Sequence, residues 1–203
     1  MIARYRIVEI VIAVSVVIIS IASLFVAVYQ SRVMDRTLAA SVMPIMDYTT
    51  GNYSAVHQDS RIELEVRNSG LGPAQVHYLV MYYEGERVVA PNRFMALCCA
   101  PEDLGPEARL DHISQLFLAD RINLTTDIVG GRVFAPQQRV VFASMLRPET
   151  PEGLAVWEAL NRAREHLELE MCYCSVLEDC WIARFPQQSR VATDQCELHT
   201  DGI

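Results

Sequence analysis

The stretch HLELEMCYCSVLEDCWIARF, His166 to Phe185, decides the fold. Leu167, Leu169, Met171, Tyr173 and Ser175 share one face of it, and Glu168, Glu170, Cys172 and Cys174 share the other. A period of two with one apolar face is the pattern of a half-buried β-strand. Leu177 to Asp179 turns the chain, and CWIARF, Cys180 to Phe185, returns as the second arm of a hairpin. Three cysteines, Cys172, Cys174 and Cys180, fall within nine residues of this hairpin. They read as staples, as metal ligands or as a redox device.

The same period appears upstream. Ile62, Leu64 and Val66 alternate with Arg61, Glu63, Glu65 and Arg67, which predicts a strand ended by Asn68, Ser69 and Gly70. Ala74 to Tyr83 is rich in β-branched and aromatic residues and reads as the next strand. Glu84-Gly85-Glu86 makes a turn, and Arg87 to Ala90 begins a third strand. In the turn built from Asn68, Gly70, Gly72, Pro73 and Ala74, the glycines are expected to supply positive φ and Pro73 to fix the next torsion. That turn reads as structural.

Between Pro101 and Gly131 the period changes. Leu110, Ile113 and Phe117 fall at helical spacing after Pro106, and Gly130-Gly131 marks a turn. Gln137 to Leu146 reads as a strand. A helix follows, with Thr150 as its cap, Pro151 as its first residue, and Trp157 and Leu160 facing the core. From Pro186 the chain is polar and reads as a loose tail that Cys196 pins. Many short strands joined by turns predict a mainly β fold. The expectation is an immunoglobulin-like β-sandwich with one or two inserted helices.

The N-terminus is of another kind. Ile10 to Tyr29 carries no charge. About 20 helical residues at ~1.5 Å rise span about 30 Å, the hydrocarbon thickness of a bilayer. Ser15, Ser20 and Ser23 do not spoil it, since a helical serine bonds a carbonyl one turn back, and Tyr5 and Tyr29 stand where interfacial aromatics belong. The flank YQSRVMDRT offers no small-x-small cleavage site, so the span reads as an uncleaved signal anchor. Arg4 and Arg6 before it nearly balance Arg32 and Arg36 after it, and the N-terminal amine tips the N-terminus inward. Val33, Leu38 and Val42 give the following helix a partial apolar face until Pro44 stops it, suiting a stalk. Ser23 and Ala27 form a small-xxx-small pair, which background composition explains better than helix pairing does. The expected organisation is a cytoplasmic N-terminus at 1–9, the span at 10–29, a juxtamembrane stalk at 30–44, the sandwich at 45–185 and a tail at 186–203.

The 203 residues carry a formal charge of −8, and all 17 basic residues are arginine without a cluster. Phosphate binding needs a basic face, so no nucleic-acid partner is expected. Six cysteines, Cys98, Cys99, Cys172, Cys174, Cys180 and Cys196, all follow the span. An even number of cysteines beyond a span suits a stapled domain in an oxidising compartment.

Three features together resemble a known pattern: Val42-Met43-Pro44 after the helix, the Asn68-x-Gly70-x-Gly72-Pro73-Ala74 turn, and the hairpin Tyr173-Cys174-Ser175…Cys180-Trp181. The chain resembles a group of uncharacterised bacterial membrane-anchored proteins with one N-terminal span and a small exported β-sandwich domain. The resemblance covers most of the chain and is weak between Val89 and Arg132. It implies the bacterial inner membrane and a periplasmic sandwich, and it carries no activity across. The acceptor motifs Asn52-Tyr-Ser and Asn123-Leu-Thr lose meaning in such a context.

Cys174 and Cys180 flank a tight turn, and bridging so short a loop restricts the unfolded chain by about 2 kcal/mol. Cys172 can pair with Cys196, Cys98 or Cys99. The adjacent Cys98 and Cys99 are not expected to pair with each other. Metal binding stands against this reading, but the Cys-x-Cys-x5-Cys spacing matches no common zinc knuckle, and His57, His77, His112, His166 and His199 are scattered. A redox site usually carries a Cys-x-x-Cys at a helix N-terminus, which is not present. No Gly-x-Ser-x-Gly, His-Glu-x-x-His, P-loop or dinucleotide pattern occurs. Glu168, Glu170, Glu178 and Asp179 read as a solvated surface, His77 as a satisfied strand histidine, and Tyr78, Tyr82 and Tyr83 as core and rim. No cofactor is expected. The partners expected are the lipid bilayer and another membrane protein, met through the span, the stalk or the sandwich. The expected function is a non-enzymatic interaction module, an accessory or assembly subunit of a membrane complex. A thiol-based redox or metal-handling role is the alternative.

Overall fold

The structure is a computed structural model and describes residues 2–197. Met1 and residues 198–203, which include His199 and the end of the expected tail, lie outside the described residues, as do the side chains of residues 2–8 and of Val11. The flank argument from Arg4, Tyr5 and Arg6 therefore has no structural counterpart. The chain divides into two units, Met1–Ser41 and Val42–Ile203.

The first unit is one helix, α1, Ile2–Ser41. Its 40 residues measure about 60 Å at ~1.5 Å each, twice a bilayer's hydrocarbon core. It is long and apolar enough to cross a membrane. Large apolar side chains from Ile10 to Val28 are exposed along it. Ser20 Oγ donates to the Val16 carbonyl at 2.8 Å, one turn back, so this hydroxyl is satisfied within the helix. Past Tyr29 charged residues enter the helix at Arg32, Asp35 and Arg36, and it continues to Ser41.

Among the described residues of the second unit, two antiparallel sheets face one apolar core. One sheet holds β1 (Met46–Gly51), β2 (Arg61–Asn68), β7 (Arg139–Leu146) and β5 (Leu124–Thr126), ordered β1-β2-β7-β5. The other holds β3 (Ala74–Tyr83), β4 (Glu86–Val88), β8 (Leu167–Cys174), β9 (Cys180–Phe185) and β10 (Ser189–Thr193), ordered β10-β9-β8-β3-β4, with β6 (Val133–Phe134) on the end of β3. This is a β-sandwich arrangement. Ile62, Leu64 and Val66 from one sheet meet Leu169, Met171 and Tyr173 from the other in the core, and Tyr48 packs its ring 6.3 Å from that of Phe185 between them. The period of two puts these side chains inward.

Three helices cover the sandwich: α2 (Pro91–Cys99), α3 (Pro106–Leu118) and α4 (Pro151–Ala163). Each starts with proline, whose missing N–H costs nothing in a first turn. Thr150 caps α4, its hydroxyl accepting from the Gly153 amide at 3.3 Å. Trp157 and Leu160 are buried beneath α4, as their spacing predicts.

Four sequence expectations need correction. The third strand is expected to continue through Ala90, but β4 stops at Val88 and, after Val89 and Ala90, the nine residues Pro91–Cys99 form α2, buried through Phe94, Met95 and Ala96. The inserted helices are therefore three, not one or two. MDYTTG, on which the sequence reading is silent, forms β1: Met46 and Tyr48 alternate inward, and the edge of β2 supplies its partners from Met46↔Asn68 to Gly51↔Glu63. The segment after Pro186, expected to be loose, contains β10, registered on β9 from Ser189↔Arg184 to Thr193↔Cys180.

The fourth correction concerns the glycine turn. The positive φ angles among glycines belong to Gly85 and Gly131, not to Gly70 and Gly72. The glycines at 70 and 72 serve close approach instead. A Cβ on Gly72 would overlap the Val42 carbonyl, and one on Gly70 would overlap the backbone of Met43 and Ile45. Asn68, fully buried, holds this crossing: its Oδ1 accepts from Ile45 N (3.2 Å) and Gly70 N (3.0 Å). Its Nδ2 donates to the carbonyls of Gly72 (2.8 Å), Ala135 (3.2 Å) and Phe134 (3.4 Å). Pro73 and Ala74 then launch β3.

Candidate functional site: a cysteine and histidine cluster

The site is built on the outer face of the larger sheet. Met171 and Tyr173 point into the core, so Cys172 and Cys174 point away from it. The β8–β9 register sets Cys174 directly opposite Cys180, and the two form a disulfide with Cα atoms 4.0 Å apart. Beyond β10 the chain crosses back over this face, and Cys196 bridges to Cys172 with Cα atoms 5.6 Å apart. The crossing buries an outer face that would otherwise be wet: Cys172 is 0% exposed and Cys174 7%. Cys180 and Cys196 remain half-exposed.

The two bridges touch. Cys174 Sγ lies 3.7 Å from Cys196 Sγ. His77 adds a ring: its Nε2 stands 3.4 Å from Cys174 Sγ. His77 is not the routine strand histidine that the sequence suggested. Val76 pairs with Tyr173 and Tyr78 with Cys172, so His77 is the extra residue of a β-bulge on β3. A bulge adds a residue to one strand and re-aims a side chain. The core-facing positions record the bulge: they switch from Ala74 and Val76 to Leu79, Met81 and Tyr83, a change of parity that an unbroken strand cannot make.

His77, Cys174 and Cys196 offer ligand atoms that all lie within 4.8 Å of one another. Metals take thiolate, not disulfide sulfur, so this set coordinates only after reduction. In the bridged state its chemistry is exchange: two disulfides in van der Waals contact beside an imidazole.

Beside the cluster a groove of about 670 Å³ runs along the same face, lined by Tyr78, Tyr82, Arg87, Glu170, Arg184 and the Thr193–Gln195 crossing. Glu170 Oε2 accepts from Arg184 Nε at 2.7 Å, and Glu170 Oε1 accepts from the Tyr78 hydroxyl at 3.3 Å. Burial first, and the Glu170 charge second, push the Tyr78 phenol up to about 12. Tyr78 and Tyr82 thus line a groove, whereas Tyr83 packs against Phe94 on the helical side. Glu168 shares the outer face with Glu170, while Glu178 and Asp179 sit in the β8–β9 turn.

The remaining cysteines lie elsewhere. Cys98 and Cys99 end α2 and form a disulfide with each other, contrary to expectation. The other four cysteines satisfy one another on the sheet, so neither has another partner. Cys98 and Cys99 line a second cavity of about 770 Å³ together with Tyr83, Arg109, His112 and Glu152. Bridging adjacent residues closes almost no loop, so this bond contributes little as a staple. None of the six cysteines is free.

Comparison with protein-family models, with curated proteins and with solved structures finds no match.

Proposed function

We propose that this chain is a single-pass protein of the bacterial inner membrane, with its N-terminus inside and its sandwich in the periplasm. It serves there as an interaction module, an accessory or assembly subunit of a membrane complex. The observation that carries this reading is that all six cysteines lie beyond the apolar helix and all six are paired. Disulfides persist in oxidising compartments and not in the cytosol. Two antiparallel sheets over one core support the finer assignment to the immunoglobulin-like class, whose members commonly bind other proteins. The outer groove, with two tyrosines, Arg87 and the Glu170–Arg184 pair, has the aromatic and arginine content that protein interfaces favour.

Two measurements test this. Alkylation of membranes before lysis, followed by peptide mapping without reduction, should find all six cysteines blocked; free thiols would overturn the compartment. Purification in mild detergent should bring down a stoichiometric membrane partner that Arg184→Glu releases. A lone monomer would overturn the accessory role. The contact between two bridges beside His77 favours a second reading, thiol-based redox work, which the next subsection makes specific.

A further inference from the structure

We propose that Cys172, Cys174, Cys180 and Cys196, with His77, form a disulfide-exchange centre that takes electrons from a dithiol at Cys180 and passes them inward to Cys172. The inference goes beyond the interaction role and needs only the paired cysteines.

Three independent features converge. The bridges are stacked, with Cys174 Sγ 3.7 Å from Cys196 Sγ, the separation from which a thiolate attacks a disulfide. His77 Nε2 stands 3.4 Å from the same Cys174 Sγ, and the bulge that aims it there interrupts the strand. Each bridge joins a half-exposed sulfur, Cys180 or Cys196, to a buried one: Cys174 is 7% exposed and Cys172 is 0% exposed. Two staples need none of these. They can stand anywhere on the sheet, without an imidazole and without touching.

The steps balance as follows. A thiolate of the incoming dithiol attacks Cys180 Sγ, forms a mixed disulfide with it and breaks the Cys174–Cys180 bond. Cys174 leaves as a thiolate beside the His77 ring, whose Nε2, 3.4 Å away, is placed to donate a hydrogen bond to that charge. The second thiol of the donor attacks its own sulfur in the mixed disulfide. The donor departs as a disulfide, and Cys180 leaves as a thiolate that takes one of the donor's protons. The Cys174 thiolate attacks Cys196 Sγ, forms Cys174–Cys196 and expels Cys172, which takes the other proton. One dithiol has been oxidised. One protein disulfide has been reduced, and the surviving bridge has changed partners. The forward sequence makes the centre an oxidant of dithiols; in reverse, the Cys172 and Cys180 thiols reduce a disulfide and both protein bridges re-form.

The test uses the full chain in detergent with dithiothreitol as the dithiol, below one equivalent, followed by acid quench, alkylation and mapping without reduction. The expected product is a peptide linking Cys174 to Cys196, with Cys172 and Cys180 alkylated. Detection of only simple opening, Cys174 and Cys180 alkylated with Cys172–Cys196 intact, or the converse, overturns the proposal. Cys180→Ser gives a second readout, since it leaves Cys174 unpaired without any reductant. It should yield a mixture of Cys174–Cys196 and Cys172–Cys196, and Cys172–Cys196 alone would overturn the proposal. His77→Ala should slow formation of the crossed bridge about three- to tenfold, the effect of a smaller thiolate fraction, with bridge content before reduction unchanged. An unchanged rate would remove His77 from the centre. Should Cys180→Ser not fold, the limited reduction of the native chain decides alone. Failure to find a membrane partner leaves these outcomes untouched, so the two proposals fail separately.

Discussion

The Asn68 turn and the cysteine cluster both fasten segments remote in sequence, one with hydrogen bonds and the other with sulfur. Asn68 ties the chain entering the sandwich at Ile45 to the start of β3 and to Phe134 and Ala135, spanning up to 67 positions. Every polar atom of its amide is used, and the side chain is fully buried. Cys172–Cys196 ties the far end of the domain back onto β8 across a sequence separation of 24. The amide has one satisfied arrangement and nothing to exchange with. The sulfurs have a second arrangement 3.7 Å away. A tie of the first kind specifies a fold; a tie of the second kind can also store a chemical state. The two should therefore differ in what breaks them.

The turn should show the largest single effect. Gly72→Ala forces a Cβ into the Val42 carbonyl, backbone against backbone, where no rotamer change helps. We expect a loss of more than about 4 kcal/mol, or failure to fold. Asn68→Ala strands the Ile45 and Gly70 amides and the Gly72 carbonyl in a buried site, at a cost of about 3 kcal/mol. Urea unfolding of the detergent-solubilised chain measures both. A loss below about 1 kcal/mol for Asn68→Ala would mean that water replaces the amide and that the turn is not a tie.

The bridges should follow in the order of the loops they close. Replacing Cys172 and Cys196 together with serine should cost about 3.5 kcal/mol by the chain-entropy estimate. Replacing Cys174 and Cys180 together, separated by only six positions, should cost about 2 kcal/mol. Full reduction of the native chain should leave the Ile45, Gly70 and Leu71 amides protected from hydrogen exchange while β10 and its crossing open. Loss of protection at Gly70 on reduction would show that the two ties are coupled and would break the comparison.

The turn was more legible in sequence than the cluster, and for the wrong reason. The Asn-x-Gly-x-Gly-Pro-Ala pattern marks the place, but the need for glycine comes from the Val42–Ile45 backbone lying against it, a tertiary contact that no local window contains. β2, β7, β8 and β9 were legible as strands; in β2 and in Leu167–Glu170 of β8 the alternation follows from one buried and one wetter face. β10 was not, because its partner β9 rather than its composition makes it a strand. α2 was hidden by its apolar run, although Pro91 stood at its start. Of the cluster, the sequence placed the hairpin cysteines and left Cys196 among several partners for Cys172. His77 was missed because a bulge flips side-chain parity without any signature residue.

The smallest effect probes the outer face where the groove meets the cluster. Tyr78 has its phenol raised from 10.0 to about 12, first by burial and then by the charge of Glu170, against which Arg184 works. A raised folded-state value means that the native chain keeps a proton which the unfolded chain loses. This contribution to stability is complete below pH ~10 and disappears as pH rises through about 12. Glu170→Gln removes the neighbouring negative charge and leaves Arg184 beside the phenol. Tyr78 should then titrate closer to 10, keeping only the part due to burial. Ultraviolet difference titration against Tyr78→Phe isolates the signal. Glu170 lies on the Cys172 side of β8, while Asn68 lies on the other sheet, so the variant should leave the protection of the Gly70 amide unchanged. If Tyr78 does not move, Glu170 is not held against it in solution, and the groove loses the ordered polar pair on which its role as a recognition surface depends.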